Sequence, residues 1–270
     1  MPQIVEIEDP SDPRIEAYRD IKERDLVGRA GLFVAEGKVV VEKLADCNLH
    51  RPVSLLIAAK RVDGLRPVIA RLRDDVPVYV AAQPILDGIA GFALHRGILA
   101  IGRRTTTPIP SELLAGDEGQ ATVLVLSGIA NHDNMGGIFR NAAAFGVSAV
   151  LLDSDCCDPL YRKAIRVSVG ATLLVPFAKI ERDEDPIGVL QRHRFHPVAL
   201  SPTGSRLLSD WRPEPRTAVL LGAEGPGLSV DLIRRVQSVQ IAMNGGFDSL
   251  NVATTSGIVL HHIAALAARE

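Results

Sequence analysis

Residues 121–153 read ATVLVLSGIANHDNMGGIFRNAAAFGVSAVLLD. Two apolar, β-branched runs, ATVLVLS (121–127) and VSAVLLD (147–153), flank a Gly-Gly pair that turns into a helix. Strand, helix and second strand, each strand apolar along its whole length, form the unit of a parallel sheet covered on both faces. The pattern continues through TLLVPF (172–177), HPVALS (196–201), TAVLLG (217–222) and VQIAM (239–243), which predicts six strands. A long final helix over NVATTSGIVLHHIAALAARE (251–270) closes this α/β layout. Ligands in such a layout bind outside the carboxyl ends of the strands, where this chain has polar and glycine-rich stretches.

Before residue 103 the rhythm is shorter. PVSLLIA (52–58), VPVYVAA (76–82) and GILAIG (97–102) have strand length, and 37–45 and 65–73 carry helical spacing. These runs predict a small α/β domain over residues 1–107. The stretch RRTTTPIPSELLAGDEGQ (103–120) breaks the pattern with prolines, threonines and charge, and reads as a linker holding a helical turn at 111–115. The expected organisation is therefore a first domain (1–107), a linker (108–120) and a second domain (121–270).

Hydrophobic residues make up 47% of the 270 and charged residues 23%, the composition of a soluble globular protein. Cys47, Cys156 and Cys157 are an odd set with two neighbours, a poor disulfide framework, so a reducing cytoplasm is expected. His193 and His196 lack partners for zinc, and no metal is expected. The start, MPQIVEIEDPSDPR, is acidic without an apolar core, and no apolar run reaches the roughly 20 residues of a membrane span, so no membrane partner is expected. Net charge is −2, divided as +1 up to residue 107 and −3 beyond it. A nucleic-acid partner would need a local basic surface. Arg14, Arg19, Lys22, Arg24 and Arg29 offer one, but Glu16, Asp20, Glu23 and Asp25 interleave with them as on a solvated helix face.

Three segments carry polar residues at strand ends. NHDNMGGIFRNAAAFG (131–146) follows the 121–127 strand; Gly136 and Gly137 permit a tight turn, and Arg140 is expected in the first turn or so of the following helix. Its plain reading is an N-cap at Asn134 with a solvated arginine. LGAEGPGL (221–228) follows the 217–222 strand and lacks the dinucleotide spacing, yet its amides can cradle a ligand. Its plain reading is a turn with Glu224 beside a helix N-terminus. IAMNGGFDSLNVATTS (241–256) runs from strand to helix; Ser249 is a competent N-cap, which leaves unexplained the crowding of Ser, Asn and Thr at the start of an apolar helix.

Together these segments resemble the three signature motifs of SPOUT-superfamily RNA methyltransferases of the SpoU/TrmH type. Asn131, Asn134, Gly136 and Arg140 look like the first motif; Gly222, Glu224 and Gly227 like the second; Ile241, Met243, Ser249, Leu250, Asn251 and Val252 like the third. Asp158-Pro159 and 165–171, with Arg166 and Ser168, match an intervening run. In the first domain 29–37 and His95-Arg96-Gly97 look like the family's substrate-binding module. Ala242 stands where the family has proline, and Thr254 and Thr255 replace smaller residues.

The resemblance implies a C-terminal trefoil-knot domain, against the general rule that chains do not knot, preceded by a ribosomal-protein-like domain. It implies S-adenosylmethionine as cofactor, methyl transfer to a ribose 2′-hydroxyl of RNA, and a homodimer through the knotted domain. The additional first domain leans toward ribosomal RNA over tRNA. Leu221, Gly222, Gly227, Ile241, Met243, Ser249 and Leu250 would contact the cofactor. Arg140, Asn131, Glu224, Ser249 and Asn251 would form the catalytic set, and Arg29, Glu36, Arg166 and Ser168 would meet RNA. A guanidinium stays protonated up to a pKa above about 12, so Arg140 suits stabilising an alkoxide or gripping a phosphate better than acting as a base. Two rivals stand beside this reading. A nicotinamide oxidoreductase would need the glycine fingerprint after its first strand, which 127–137 lacks. A methyltransferase-like RNA-binding protein without catalysis would be expected to lose Arg140, Glu224, Ser249 or Asn251, and all four are present.

Overall fold

Two sheets organise the chain in the computed structural model, which describes residues 2–19, 31–90, 94, 96–105, 108–116, 119–245 and 249–268. The contacts divide into two units, residues 1–106 with 160–174, and residues 107–159 with 175–270. The first unit holds β1 (Ile4–Ile7), β2 (Leu32–Glu36), β3 (His50–Ala58), β4 (Val78–Ala81) and β5 (Ile98–Arg104), ordered β1-β4-β3-β5-β2. β1 and β3 run parallel to β4, and β5 is antiparallel to β3 and β2. Helices α1 (Lys38–Ala45), α2 (Val62–Ile69) and α3 (Gln83–Ala90) connect them. The core gathers Val34, Leu56, Leu99 and Ile101 from the strands, and Ile15 and Tyr18 from a 3-10 turn. β1 was not expected. Only Ile7 of its four residues is buried, so its sequence carries little apolar signal.

The second unit opens with α4 (Pro110–Leu114), β6 (Ala121–Ser127), α5 (His132–Ala144) and β7 (Ala149–Leu152). Here the chain joins the first unit with α6 (Arg162–Val167) and a 3-10 turn at Ala171–Leu173. It then continues through β8 (Phe177–Lys179), α7 (Pro186–Arg192), β9 (His196–Leu200), β10 (Arg206–Leu207), β11 (Arg216–Gly222), α8 (Val230–Arg234), β12 (Gln237–Gln240) and α9 (Val252–Ala267). The sheet is parallel throughout, in the order β10-β12-β9-β11-β6-β7-β8. Val123, Val125, Ala149, Leu151, Ala218 and Leu220 enter one core cluster. Their neighbours Leu124, Leu126, Val150, Leu152, Val219 and Leu221 are buried as well, on the opposite face. Burial on both faces is why these strands are apolar at every position.

Two expectations are corrected. The strand expected at 172–177 is a buried 3-10 turn followed by Pro176, which has no N–H to give a sheet, so β8 begins at Phe177. The strand expected at 239–243 is shifted to Gln237–Gln240, which leaves Ile241 and Met243 outside the sheet. The helical turn expected at 111–115 within the stretch 103–120 is α4, Pro110–Leu114. β5 extends to Arg104, and Leu114 at the end of α4 is 1% exposed in the second unit's core.

Two residues expected to meet RNA are held internally in the first unit. Glu36 Oε2 accepts from Arg162 Nη2 at 2.7 Å and Nε at 3.1 Å, with both side chains largely buried. Ser168 is 1% exposed; its hydroxyl donates to the Ile165 carbonyl at 3.0 Å and accepts from the Thr172 amide. These contacts engage Glu36 Oε2 and bury the Ser168 hydroxyl within the first unit. Lys43 Nζ donates to the Val169 carbonyl at 2.7 Å and Cys47 Sγ to the Leu173 carbonyl at 2.9 Å, so 160–174 is stitched to the first unit at several points.

In the second unit a buried cation ties two helix ends together. Arg216 donates through Nε to the His193 carbonyl at 3.2 Å and through Nη2 to the Leu114 carbonyl at 3.1 Å. His193 caps α7, Leu114 ends α4, and the guanidinium lies 4.2 Å from the Phe195 ring centroid. Positive charge is favoured at helix C-termini. Arg216→Met is expected to lower stability by about 2–4 kcal/mol, because it removes charge-assisted bonds from buried carbonyls. A urea-unfolding midpoint unchanged from wild type would contradict this role for Arg216.

Candidate active site

The first segment forms the turn from β6 into α5. Asn131, not Asn134, is the N-cap: its Oδ1 accepts from the amides of Asp133 (2.8 Å) and Asn134 (3.2 Å). The helix therefore starts at His132, and Arg140 lies in its third turn, roughly 12 Å along the axis rather than at its start. Arg140 is exposed, while Asn134, Met135, Ile138, Phe139 and Ala142 turn inward. Gly137 allows a close crossing, since a Cβ there would sit 2.7 Å from the Cβ of Ala253.

The second segment leaves the carboxyl end of β11 and doubles back on itself. Gly225 and Gly227 have φ of +88° and +67°, and the Gly227 amide donates to the Ala223 carbonyl at 3.0 Å. A Cβ on Gly222 would lie 2.3 Å from the Gly227 carbonyl carbon and the Leu228 nitrogen, so the loop can close only over glycine. Glu224 does not serve the next helix, whose N-cap is Ser229. It points to the third segment instead.

That segment follows β12, and its helix is capped by Asn251 rather than Ser249. Asn251 Oδ1 accepts from the amides of Ala253 (3.0 Å) and Thr254 (3.2 Å). Its Nδ2 donates to Asn134 Oδ1 and to Glu224 Oε1, each at 2.8 Å. One side chain thus joins all three segments.

Beside this junction, outside the ends of β9 and β11, lies a cavity of about 480 Å³, within the size range of small-molecule sites. Leu221, Gly222, Gly227, Ile241, Met243, Ser249 and Leu250 all line it, as do Glu224 and Asn251. Asn131 and Arg140 do not. Arg166 is exposed in the first unit, and Arg29 falls outside the described residues. Asn134 was read as part of a motif but not as a site residue. Two asparagines three positions apart look alike as caps, and only the α5–α9 crossing separates their roles. Ser201, Pro202 and Thr255 also line the cavity without having been assigned. The rule that ligands gather beyond strand ends was the available signal for the first two.

Among the described residues no helix is long and apolar enough to cross a membrane, and no group of three or more His, Cys, Asp or Glu could hold a metal ion.

Similarity to known proteins extends over most of the chain. An uncharacterized tRNA/rRNA methyltransferase of Mycobacterium bovis is 37% identical over 94% of this chain and 89% of its own length. A 23S rRNA (guanosine-2′-O-)-methyltransferase, RlmB, of Yersinia pestis is 30% identical over 83% of this chain and 93% of its own. The crystal structure of an AdoMet-bound rRNA methyltransferase from Sinorhizobium meliloti superposes with a TM-score of 0.81 at 23% identity, covering 98% of each chain. The profile of the SpoU rRNA Methylase family matches residues 121–261, the span that carries all three segments and the cavity, and the chain belongs to that family.

Proposed function

We propose that this SpoU-family methyltransferase moves the methyl group of S-adenosylmethionine onto a ribose 2′-hydroxyl of RNA, with ribosomal RNA the favoured class. The observation that carries the reading is the junction at Asn251. Segments far apart in sequence meet there, and Glu224, Ser249 and Asn251 of the resemblance line the adjoining cavity. The cavity fits the cofactor in kind. Apolar walls from Leu221, Ile241 and Leu250 suit an adenine, main chain released from the sheet at 241–243 can read its edge, and Glu224 supplies a carboxylate for a cationic group.

Bound S-adenosylmethionine supplies a methyl already activated by its sulfonium. What remains for the chain is alignment and the handling of charge on the attacking oxygen. Gly222 keeps the 223–228 loop closed against the pocket, and Asn251 fixes Glu224. Arg140, exposed on α5, donates to the phosphate beside the target ribose or to the developing alkoxide. Asn131 acts one step back, by capping the helix that carries Arg140.

The same reading extends to the architecture. After β12 the chain runs beside the loops that follow β9 and β11, then packs α9 against α5; this course supports a trefoil knot in the domain 121–270. The domain 1–107 would present RNA, with the exposed Arg166 adding charge from 160–174. In α9, Leu260 and Ile263 are buried in the protomer, while Ile258 is 37% exposed and supports a homodimer contact. The free thiols of Cys47, Cys156 and Cys157 are in keeping with a cytoplasmic enzyme.

Labelled methyl from S-adenosylmethionine is expected to enter a 2′-O-methylated nucleoside when the protein meets total RNA from a strain lacking the gene, with nucleosides resolved by mass. Label in a base, or none despite cofactor binding, would overturn the reaction assigned. Arg140→Ala is expected to reduce turnover to below about a tenth while cofactor affinity stays within a few-fold. Gly222→Ala should do the reverse to binding, weakening cofactor affinity at least about tenfold by calorimetry, because the new methyl group collides with backbone. Unchanged affinity would remove the loop from the cofactor site.

A further inference from the structure

Asn141 stands next to Arg140 in a run of alanines, Asn141-Ala-Ala-Ala144. Asparagine in a helix interior is less favourable than alanine by roughly half a kcal/mol, because its side chain competes for backbone hydrogen bonds. Its tertiary contacts explain its presence. Asn141 Nδ2 donates to the Ala253 carbonyl at 2.7 Å and to Ser256 Oγ at 2.9 Å, and Ser256 Oγ donates in turn to the Ala253 carbonyl at 2.7 Å. Ser256 is fully buried, and a Cβ on Gly257 would lie 3.2 Å from Asn141 Nδ2. One turn earlier Gly137 meets Ala253. Helix α9 therefore approaches α5 along a seam of small residues, and Asn141 supplies a second polar contact across it beside the Asn251–Asn134 bond.

Register matters here because the first turn of α9 is also a wall of the cavity. Asn251, Val252 and Thr255 line it, and Asn251 must reach Asn134 and Glu224 at once, each at 2.8 Å. A slide or roll of α9 on α5 by half an ångström would stretch both bonds toward the limit of a hydrogen bond. Apolar packing between Gly137 and Ala253 is non-directional and resists such a slide weakly. The pair of bonds from Asn141 is directional and resists it strongly.

We propose that Asn141 is a positioning residue for the cofactor pocket. By holding the first turn of α9 in register on α5, it sets the Asn134–Asn251–Glu224 junction and couples the pocket wall to the helix that bears Arg140. The inference rests on the cavity being the S-adenosylmethionine site, but its test does not depend on turnover.

The full-length chain would be compared with Asn141→Ala, Asn141→Asp and Asn141→Gln. Asn141→Asp keeps the shape and loses the donors; Asn141→Gln keeps the donors on a longer arm. A control, Phe177→Leu, loosens the packing of α5 on β8 and leaves the α9 contacts in place, since Phe177 packs edge-on against Phe139. In Asn141→Ala and Asn141→Asp, amide hydrogen exchange over residues 253–257 is expected to quicken at least tenfold. Affinity for S-adenosylmethionine by calorimetry should fall at least tenfold in the same two variants. Asn141→Gln should recover part of both, and Phe177→Leu should change neither at a temperature well below its melting point. Exchange and affinity within twofold of wild type in both Ala and Asp variants would overturn the proposal, as would an equal loss in Phe177→Leu. Wild-type protein that binds the cofactor yet methylates no RNA would sink the proposed reaction and leave this positioning result standing. Wild-type protein that binds no cofactor would overturn it, because the pocket would then have no cofactor to position.

Discussion

The side-chain amide of Asn251 offers two hydrogens and one oxygen, and the fold uses all of them. The oxygen receives two backbone amides at the start of α9, while the hydrogens go to Asn134 on α5 and Glu224 in the loop after β11. No other residue type supplies this combination at this length. Aspartate would cap the helix but repel Glu224, and serine would cap it but not reach across. Helix start and loop position are thus set by one planar group, which also bonds across the helix crossing. What surrounds it, from the small residues of the α5–α9 seam to the glycines of 222–227, can be understood as making room for that geometry.

The parallel sheet supplies the other half of the constraint. Because β6, β9, β11 and β12 all run the same way, their following loops emerge at one edge, and segments a hundred residues apart become neighbours. Apolar residues on both faces of the strands hold this edge rigid. Rigid strands and irregular loops divide the work: the sheet fixes where each loop begins, and glycine and asparagine shape what it does next.

Much of this was legible in the sequence because two-sided burial leaves a plain mark. The runs at 121–127, 196–201 and 217–222 lie on β6, β9 and β11 within a residue. Failures came where an apolar residue had another use. Ile241 and Met243 look like strand residues, yet they wall a cavity, and the sheet takes the more polar Gln237–Gln240 instead. Thr172 and Leu173 are fully buried in a turn, and burial without periodicity cannot distinguish turn from strand. At the site, residue types were readable but partners were not. Asn131 and Asn134 differ by which helix passes nearby, and Glu36 and Ser168 by contacts made within the first unit from residues more than a hundred positions away or one turn away. Arg140 was misplaced along α5 because the helix begins before the glycine pair rather than after it.

The excursion of residues 160–174 has a bearing on the order in which the molecule can mature. Residues 1–106 leave the ribosome before their last structural piece has been made, and a further 68 residues must follow before position 174 exists. At about 5–20 residues per second that interval is roughly 3–14 s. During it Glu36 has no Arg162, and the Val169 and Leu173 carbonyls that Lys43 and Cys47 reach are not yet synthesised. The N-terminal sheet can collapse early, but its last contacts await residues 160–174, made only after β6 and β7. Birth of the two units is therefore interleaved rather than sequential, and a nascent chain arrested near residue 107 would carry a half-finished surface.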